Sequence, residues 1–319
     1  MPLKVIIARD FEHLSDIAAQ IIKQTIIQTF EAKEEFVLGL ATGNSPTRVY
    51  KHLARAANDG EFDSSRIRSF NLDEYVGLPG DNVQQRVLHP ESYCYFMIQE
   101  FFGLLQRKFI ETCVPYGCMI DQQVLAKELH AYPDDWHAVG TDAGKSILIH
   151  DNPTSHYLGW VREEILEGYE RKIEAAGGVD LQIIGVGGRG HVAFHESGIP
   201  FAGSRVMLVK LDENTIANAV MDGHFSCEAE SPHYAVSMGA ELVYRARTLV
   251  LLANGERKVR PVTESLVDDP TPEIPISYGQ LYARGPGNLV YVVDTIAGRE
   301  LLAAASRLEQ KGITIENLS

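Results

Sequence analysis

The sequence predicts an α/β fold: a modified Rossmann-like, mostly parallel sheet flanked by helices, with an inserted cap or lid segment. Short apolar runs recur along the chain, helical segments lie between many of them, and this pattern loosens between Phe101 and Ile173. Most runs are apolar at every position, as in strands buried on both faces, and their alternation with helices is typical of a parallel sheet. The predicted strands are LKVIIA (3–8), FVLGLA (36–41), IRSFNL (67–72), LQIIGV (181–186), RVMLVKL (205–211), TLVLLA (248–253) and NLVYVV (288–293).

The first strand is followed by a predicted amphipathic helix. Its apolar residues recur at helical spacing from Leu14 through Ile17 and Ile21 towards Phe30, and Asp10 is a suitable N-cap. A second helix is predicted over VREEILEGYERKIEAAG.

The stretch at about 110–159 is interpreted as an insertion into a single α/β domain that spans residues 1–319. It carries Pro, Gly, Asp and His without a clean period. Long irregular segments are either functional or merely tolerated, so a lid and a surface excursion without a role are equally open.

Composition limits the classes of partner. The chain has 319 residues, 45% of them apolar, with a formal net charge of −14, which argues against binding to nucleic acid or to an anionic membrane. The sequence has no run near the roughly 18–20 apolar residues of a membrane helix, and the N-terminal residues are typical of a strand, not of a signal peptide. The four cysteines form no CxxC pair, which predicts reduced thiols and a cytoplasmic protein, with a Cys113–Cys118 disulfide as a minor alternative.

The stretch LATGNSPTRVYKHL (40–53) predicts an anion-binding turn between a strand and a helix. Thr42, Gly43, Asn44 and Ser45 form a small polar turn, with Ser45 as a helix cap and Pro46 in the first helical position. Ligands of open α/β sheets bind at the carboxyl ends of strands, and helix N-termini attract phosphate. A capped turn without a ligand is the equal alternative.

The stretch FNLDEYVGLPG (70–80) places Asp73 and Glu74 at the predicted end of a strand. A carboxylate there can act as a general base if a substrate proton comes within hydrogen-bond reach. The plain alternative is a solvated acidic turn, since acidic residues are mostly exposed.

The stretch GVGGRGHVAFHESG (185–198) spells the dinucleotide pattern G-x-G-x-x-G, and the acidic Asp212–Glu213 follows a later strand. The helix that this pattern requires is broken almost at once after the third glycine, which disfavours a dinucleotide site. A metal site on His191 and His195 lacks a third ligand at a suitable spacing. The interpretation that remains makes His191 an acid–base group whose ring Glu196 can orient; a histidine that only caps the turn is its plain alternative.

A fourth stretch, LANGERKVRPV (252–262), predicts a strand that ends in Asn254–Gly255 and a following helix that Lys258 and Arg260 open. A cation at the carboxyl edge of the sheet can hold an anionic substrate group. A solvated basic helix start is at least as good an interpretation.

Together these stretches resemble the glucosamine-6-phosphate deaminase/isomerase family, which is related to the 6-phosphogluconolactonases. The resemblance covers roughly residues 36–106 and 180–295 and rests on LATGNSP, FNLDEYVGL, HPESY (89–93), the glycine–histidine turn with Glu196, and the GxxK at Gly255–Lys258. It implies that a hexosamine 6-phosphate is ring-opened, isomerised and hydrolysed to a ketohexose 6-phosphate and ammonia, with no cofactor and no metal. Family members are often homo-oligomers, so a homo-oligomer is an expectation here, and the partner is a small-molecule sugar phosphate.

The resemblance also implies roles for individual residues. Asp73 corresponds to the base that moves a proton between C1 and C2, and His191, with Glu196 as its partner, corresponds to the group that assists ring opening. The positions that correspond to phosphate ligands are Thr42, Gly43, Asn44, Ser45 and Lys258.

Three positions depart from the family pattern. Arg189 stands where the family has an aspartate, His195 stands where it has an asparagine, and Val220 stands where it has an arginine that helps to hold the phosphate. One hypothesis is that Arg189 takes over this anion-binding task. The departures keep open another hexosamine phosphate, a related sugar-phosphate isomerase or lactonase, and a non-catalytic sugar-phosphate sensor.

Overall fold

A computed structural model describes residues 3–142, 144–221 and 223–319. Its strands are β1 (Leu3–Ala8), β2 (Phe36–Leu40), β3 (Ile67–Asn71), β4 (Asp73–Val76), β5 (Glu111–Cys113), β6 (Trp136–Val139), β7 (Lys145–Ile149), β8 (Leu181–Ile184), β9 (Val206–Lys210), β10 (Tyr234–Met238), β11 (Thr248–Ala253), β12 (Asn288–Asp294) and β13 (Thr314–Leu318).

The α-helices are α1 (Phe11–Ala32), α2 (Thr47–Asn58), α3 (Val83–Val87), α4 (Tyr93–Glu100), α5 (Gln122–Ala131), α6 (His156–Trp160), α7 (Glu167–Ala175), α8 (Glu213–Met221), α9 (Ala240–Val243), α10 (Val259–Val267), α11 (Gly279–Tyr282), α12 (Arg299–Ala303) and α13 (Ala305–Gln310). Short 3-10 turns lie at Ser64–Arg66, Phe102–Leu104, Tyr116–Met119, Pro133–Asp135, Glu256–Lys258 and Pro275–Tyr278, and a π-helical stretch at Val161–Leu166 joins α6 to α7.

The larger sheet has eight strands in the order β13-β1-β12-β11-β8-β2-β3-β5. Every neighbouring pair in it is parallel. Six of the seven predicted apolar runs lie in this sheet, with helices between them, which confirms the predicted α/β fold class.

A second sheet of five strands, in the order β4-β10-β9-β7-β6, is entirely antiparallel and was not predicted as a separate sheet. It contains β9, so the assignment of 205–211 to the mostly parallel sheet was wrong. The physical reason is that Met207 and Val209 pack in one hydrophobic cluster and Leu208 in another, on the opposite face. A strand covered on both faces is apolar throughout, whatever the direction of its neighbours.

The main hydrophobic core surrounds the parallel sheet. Helix α1 contributes Leu14, Ile22 and Ile26, all fully buried, and each such side chain stabilises the fold by about 1.5–3 kcal/mol. Asp10 caps this helix as predicted, since its carboxylate accepts a hydrogen bond from the amide of His13 at 2.8 Å.

The segment at about 110–159 adds to both sheets. Strand β5 extends the parallel sheet beside β3, and β6 with β7 forms an antiparallel hairpin at the edge of the second sheet. The predicted helix over 161–177 is confirmed, with a π-helical start that continues into α7. That this segment is an insertion into one domain stays a prediction.

The described residues include no helix that is both long enough and apolar enough to span a bilayer. All four cysteines carry free thiols, so Cys113 and Cys118 are not linked.

Candidate active site

The candidate site is a cleft at the carboxyl ends of adjacent strands of the parallel sheet. The loops that follow β11, β8 and β2 line two adjoining cavities with volumes of about 470 and 810 Å³. Five residues line both cavities: Tyr75, His224, Glu256, Arg257 and Lys258. This is where open α/β sheets bind their ligands.

The predicted anion turn, Thr42–Ser45, lines the smaller cavity. Gly43 has a φ of 101°, a conformation that favours glycine. The prediction that Ser45 caps the next helix was wrong: α2 begins at Thr47 after Pro46, and the Ser45 hydroxyl donates to Oδ1 of Asn254 at 2.8 Å. The serine therefore ties the anion turn to the loop after β11.

Lys258 lies in that loop and lines both cavities. The preceding Gly255 has a φ of 82°, and its amide donates to both carboxylate oxygens of Asp294 at 3.0 and 3.1 Å. Lys258 ends a 3-10 turn, and α10 begins only at the next residue, so it does not open that helix as predicted. The buried Asp294 carboxylate fixes the turn that carries the lysine.

The glycine turn presents His191 to the larger cavity. The imidazole packs directly on Gly187, where any Cβ would overlap the ring, and the Gly187 amide donates to the His191 carbonyl at 3.1 Å. Gly190 has a φ of 79°, and a Cβ there would lie 2.7 Å from Cγ2 of Ile274. The glycines are therefore required by close packing and by backbone conformation.

The residues after His191 form a tight turn, not a helix. Ala193 has a φ of 51°, and Val192 bridges to His195. A pyrophosphate site of the Rossmann type needs a helix N-terminus at this point, so the structure gives the dinucleotide alternative no support.

His191 and Glu196 meet as predicted, with 3.4 Å between Nδ1 and Oε2. The other carboxylate oxygen accepts hydrogen bonds from the Thr215 hydroxyl at 2.8 Å and the Asp212 amide at 3.4 Å. Burial alone would raise the pKa of Glu196, but the neighbouring His191, Thr215 and Asp212 outweigh it and lower that pKa below its ordinary value. Glu196 is therefore an ionised, fixed partner for the imidazole.

His195 has a structural environment. It is fully buried, its Nδ1 accepts a hydrogen bond from the Ala240 amide at 3.0 Å, and its Nε2 donates to the Ile199 carbonyl at 2.9 Å. Burial lowers the pKa of His195 to about 4. Because both ring nitrogens bind backbone groups, neither is available to a metal. Within the described parts of the chain no three His, Cys, Asp or Glu side chains are arranged to hold a metal ion.

Asp73 lies where the chain crosses from one sheet to the other. The prediction that it ends a strand was wrong: β3 ends at Asn71, and Asp73 opens β4 of the antiparallel sheet. The Asp73 side chain is buried, and it lines neither of the two cavities. Burial, together with the charge of Glu74, raises the pKa of Asp73 to about 8.

Two neighbours of Asp73, one in its own strand and one in the paired strand, relate it to the cleft. Tyr75, two residues on along β4 and thus on the same face of the strand, lines both cavities. Across the strand pair, Ser237 lies directly opposite Asp73, and its hydroxyl accepts a hydrogen bond from the amide of Phe194, in the turn after His191, at 3.0 Å.

Glu74 has a different task from Asp73. Its carboxylate accepts hydrogen bonds from the Ser92 hydroxyl at 2.8 Å and from the amides of Tyr93 and Cys94, both at 3.1 Å, at the start of α4. Burial raises the pKa of Glu74, while these donors act in the opposite direction. Glu74 therefore joins the DEY stretch to the HPESY stretch.

Arg189 lies between two carboxylates. Its guanidinium pairs with Asp142 and, through Nη1, with Asp212 at 3.2 Å. It also lines the larger cavity. Val220, at the position where a phosphate-binding arginine was expected, packs against a hydrophobic cluster that includes Tyr75.

The sequence also has a close likeness to proteins of known family. A glucosamine-6-phosphate deaminase of Clostridium acetobutylicum is 32% identical over 300 residues, which cover 94% of this chain and 100% of the relative. Another, of Clostridioides difficile, is 32% identical over 310 residues, 97% of this chain and 98% of the relative. A third, of a Thermoanaerobacter species, is 34% identical over 86% of this chain and 87% of its own length.

The chain belongs to the glucosamine-6-phosphate deaminase family. No protein-family model matches the sequence. Among solved structures, a monomeric glucosamine-6-phosphate deaminase described as a missing link of the NagB superfamily aligns with a TM-score of 0.70 and 26% identity, over 93% of this chain and 99% of its own. The 6-phosphogluconolactonase of Trypanosoma brucei aligns with a TM-score of 0.60 over 94% and 98% of the two chains, but at 14% identity this likeness concerns the fold alone.

Several residues of this deaminase-family cleft escaped the sequence analysis. Examples are His224 and Arg257, which line both cavities, and Thr215, which holds Glu196. His224 pairs with Glu91 of the HPESY stretch at 2.7 Å although 133 residues separate them. No spacing rule connects such distant residues. The one available sign in the sequence was that Arg257 directly precedes the predicted phosphate ligand Lys258.

Proposed function

We propose that the protein converts a hexosamine 6-phosphate, and glucosamine 6-phosphate first of all, to a ketohexose 6-phosphate and ammonia. The observation that carries the proposal is one cleft in which the anion turn and Lys258 adjoin His191, whose ring contacts Glu196. Asp73, a buried carboxylate whose pKa burial raises to about 8, lies behind this lining, two residues before Tyr75, which lines both cavities. An anion site, an acid–base pair and a carboxylate of perturbed pKa are the parts that aldose–ketose isomerisation requires.

The phosphate would bind at the turn Thr42–Ser45, opposite Lys258. Both line the smaller cavity, and the Ser45–Asn254 hydrogen bond holds the two loops together. The backbone amides and hydroxyls of the turn donate, and the lysine ammonium supplies the opposite charge. The predicted anion-binding role of Arg189 is untested and is not part of this proposal, because two carboxylates already engage its guanidinium.

The chemistry would begin with ring opening assisted by His191, whose ring is held by ionised Glu196. Asp73 would then remove the proton from C2, giving an enediol-type intermediate, and return it to C1. Water would add to the resulting C2 imine, and ammonia would leave, so that one water is consumed for each ammonia released. These are proton transfers and a hydrolysis, for which side chains suffice without a redox or electrophilic cofactor.

The deciding assay measures ammonia release from glucosamine 6-phosphate by the purified full-length protein. Asp73→Asn should lower kcat by about 10²–10⁴-fold, the usual contribution of a general acid–base group. Asp59→Asn, an exposed aspartate beyond α2, is the matched control and should retain activity. Full activity in Asp73→Asn would remove the proposed mechanism.

Two further substrates separate the alternatives. Galactosamine 6-phosphate tests another hexosamine, and 6-phosphogluconolactone tests the lactonase alternative. Hydrolysis of the lactone without ammonia release from either amino sugar would replace the proposal. Binding of the sugar phosphates without turnover would indicate a sensor.

We also infer a small-molecule partner, a homo-oligomer from the resemblance, and a cytoplasmic location from the pattern of cysteines. Analytical ultracentrifugation tests the oligomeric state, and cell fractionation tests the location.

A further inference from the structure

Three charged side chains connect the glycine turn and the residues after it (185–198), here called the catalytic turn, to the β6–β7 hairpin. Arg189 belongs to the turn, Asp142 to the hairpin tip (residues 140–142 and 144), and Asp212 to the loop between β9 and α8. The guanidinium pairs with both carboxylates at once. The Asp212 side chain is 3% exposed and that of Asp142 is 29% exposed, so the ion pairs are partly shielded from water.

The backbone of the hairpin tip also contacts the catalytic turn directly. The Thr141 amide donates to the Gly198 carbonyl at 3.0 Å. At Gly144, a Cβ would lie only 2.7 Å from Cγ of Glu196 and 3.2 Å from Cβ of Asp212. The tip therefore packs against the carboxylate that holds His191.

Asp212 joins the ion pairs to the His191–Glu196 pair. Its carboxylate accepts hydrogen bonds from the amide and side chain of Asn214 at 2.7 and 2.8 Å, and its own amide donates to Glu196 at 3.4 Å. A shift of Asp212 would move this amide and weaken one of the contacts that orient Glu196. The imidazole of His191 depends in turn on that carboxylate.

The group carries one positive and two negative charges. One guanidinium and two carboxylates give a net charge of −1 (+1 − 2), although the turn itself carries an arginine. An arginine without such partners would place a positive charge beside His191 and would compete with Lys258 for the phosphate.

We propose that Asp142, Arg189 and Asp212 form an ion-paired clamp that fixes the hairpin tip on the catalytic turn and thereby positions Glu196 and His191. Arg189 is then a positioning residue and not a phosphate ligand. The catalytic part of this inference rests on the proposed function, whereas the mechanical part does not.

The mechanical part is tested by hydrogen–deuterium exchange on the full chain without substrate. Asp142→Asn should speed exchange in the hairpin tip and in residues 189–198, because the anchoring charge is lost. The matched control is Asp151→Asn, which breaks an ion pair with Arg162 outside the tip and should leave exchange there unchanged. Unchanged exchange in Asp142→Asn would overturn the clamp, whatever the enzyme's substrate.

The catalytic part is tested by the split between kcat and KM for glucosamine 6-phosphate. Asp142→Asn and Arg189→Ala should lower kcat by about tenfold or more with KM changed less than about threefold, as expected for misplaced catalytic groups. A KM raised at constant kcat in Arg189→Ala would make Arg189 an anion ligand and overturn the assignment.

A charge exchange separates positioning from general damage. Asp142→Arg gives the group a net charge of +1, and Arg189→Asp gives −3, so each should be strongly impaired. The double variant restores a net charge of −1 and an ion pair between positions 142 and 189, but it sets an acid at 189 beside Asp212, so it should recover part of the activity lost by the worse single variant. No recovery in the double variant would contradict the clamp. Absence of ammonia release by the wild type would sink the proposed function, leaving the exchange experiment to decide on the clamp.

Discussion

Ser237 lies directly opposite Asp73 in the β4–β10 pair. Its hydroxyl accepts a hydrogen bond from the amide of Phe194, in the turn that follows His191. This hydrogen bond joins β10 of the antiparallel sheet to the loop that follows β8 of the parallel sheet. The strand pair that carries Asp73 is thus joined to the turn that carries His191.

The activity should rise with pH. A base must be deprotonated to accept a proton, and burial with the charge of Glu74 raises the pKa of Asp73 to about 8. We therefore expect kcat/KM to increase through an apparent pKa of about 8. Glu74→Gln removes one of the two causes and should move this rise to lower pH. A shift to higher pH in that variant would contradict the assignment.

Asp73 should also make the stability of the protein depend on pH. Its pKa is raised in the folded state, so its contribution to stability is fully present below pH 4 and is lost as the pH rises through about 8. For a pKa raised from 3.8 to about 8, the stability lost is on the order of 6 kcal/mol. Asp73→Asn should therefore be more stable than the wild type at pH 9, in urea unfolding, with little difference at pH 4. Parallel pH curves for the two proteins would rule this out.

Thr215 should affect the turnover rate through its hydrogen bond to Glu196. Thr215→Val deletes the 2.8 Å hydrogen bond to the carboxylate, which should raise the pKa of Glu196 and lower kcat by about tenfold. Thr263→Val is the matched control, because the Thr263 hydroxyl is buried and has no hydrogen-bond partner among the described residues. Steady-state kinetics and thermal unfolding of both variants check this. Equal kinetics in the two variants would show that the hydroxyl is dispensable.

Gly187 should be required for the position of His191. A methyl group at this position overlaps the imidazole, so Gly187→Ala should displace the ring and reduce kcat by about 100-fold. Gly185→Ala, in the same turn, meets open space and should retain most activity. Ammonia release by the two variants, with unfolding temperatures as a control for folding, measures the difference. Comparable activity in both would mean that the turn adapts.

The sequence by itself determined the parallel sheet, the glycine turn and the family. Continuous apolar runs specify buried strands, and a glycine at a left-handed position such as Gly190 can be recognised from its local pattern. The contact between His191 and Glu196 could be predicted from the sequence, because the two residues are only five positions apart.

Only the tertiary structure decided what surrounds those residues. The antiparallel sheet was missed because β9 is covered on both faces and so has the pattern of a parallel strand. The partners of Arg189 were missed for a related reason: Asp142 lies 47 positions away and Asp212 23 positions away. Local spacing encodes turns and strands, but a charge pair between distant loops depends on how the sheets pack, and the packing makes Arg189 part of an ion-paired group.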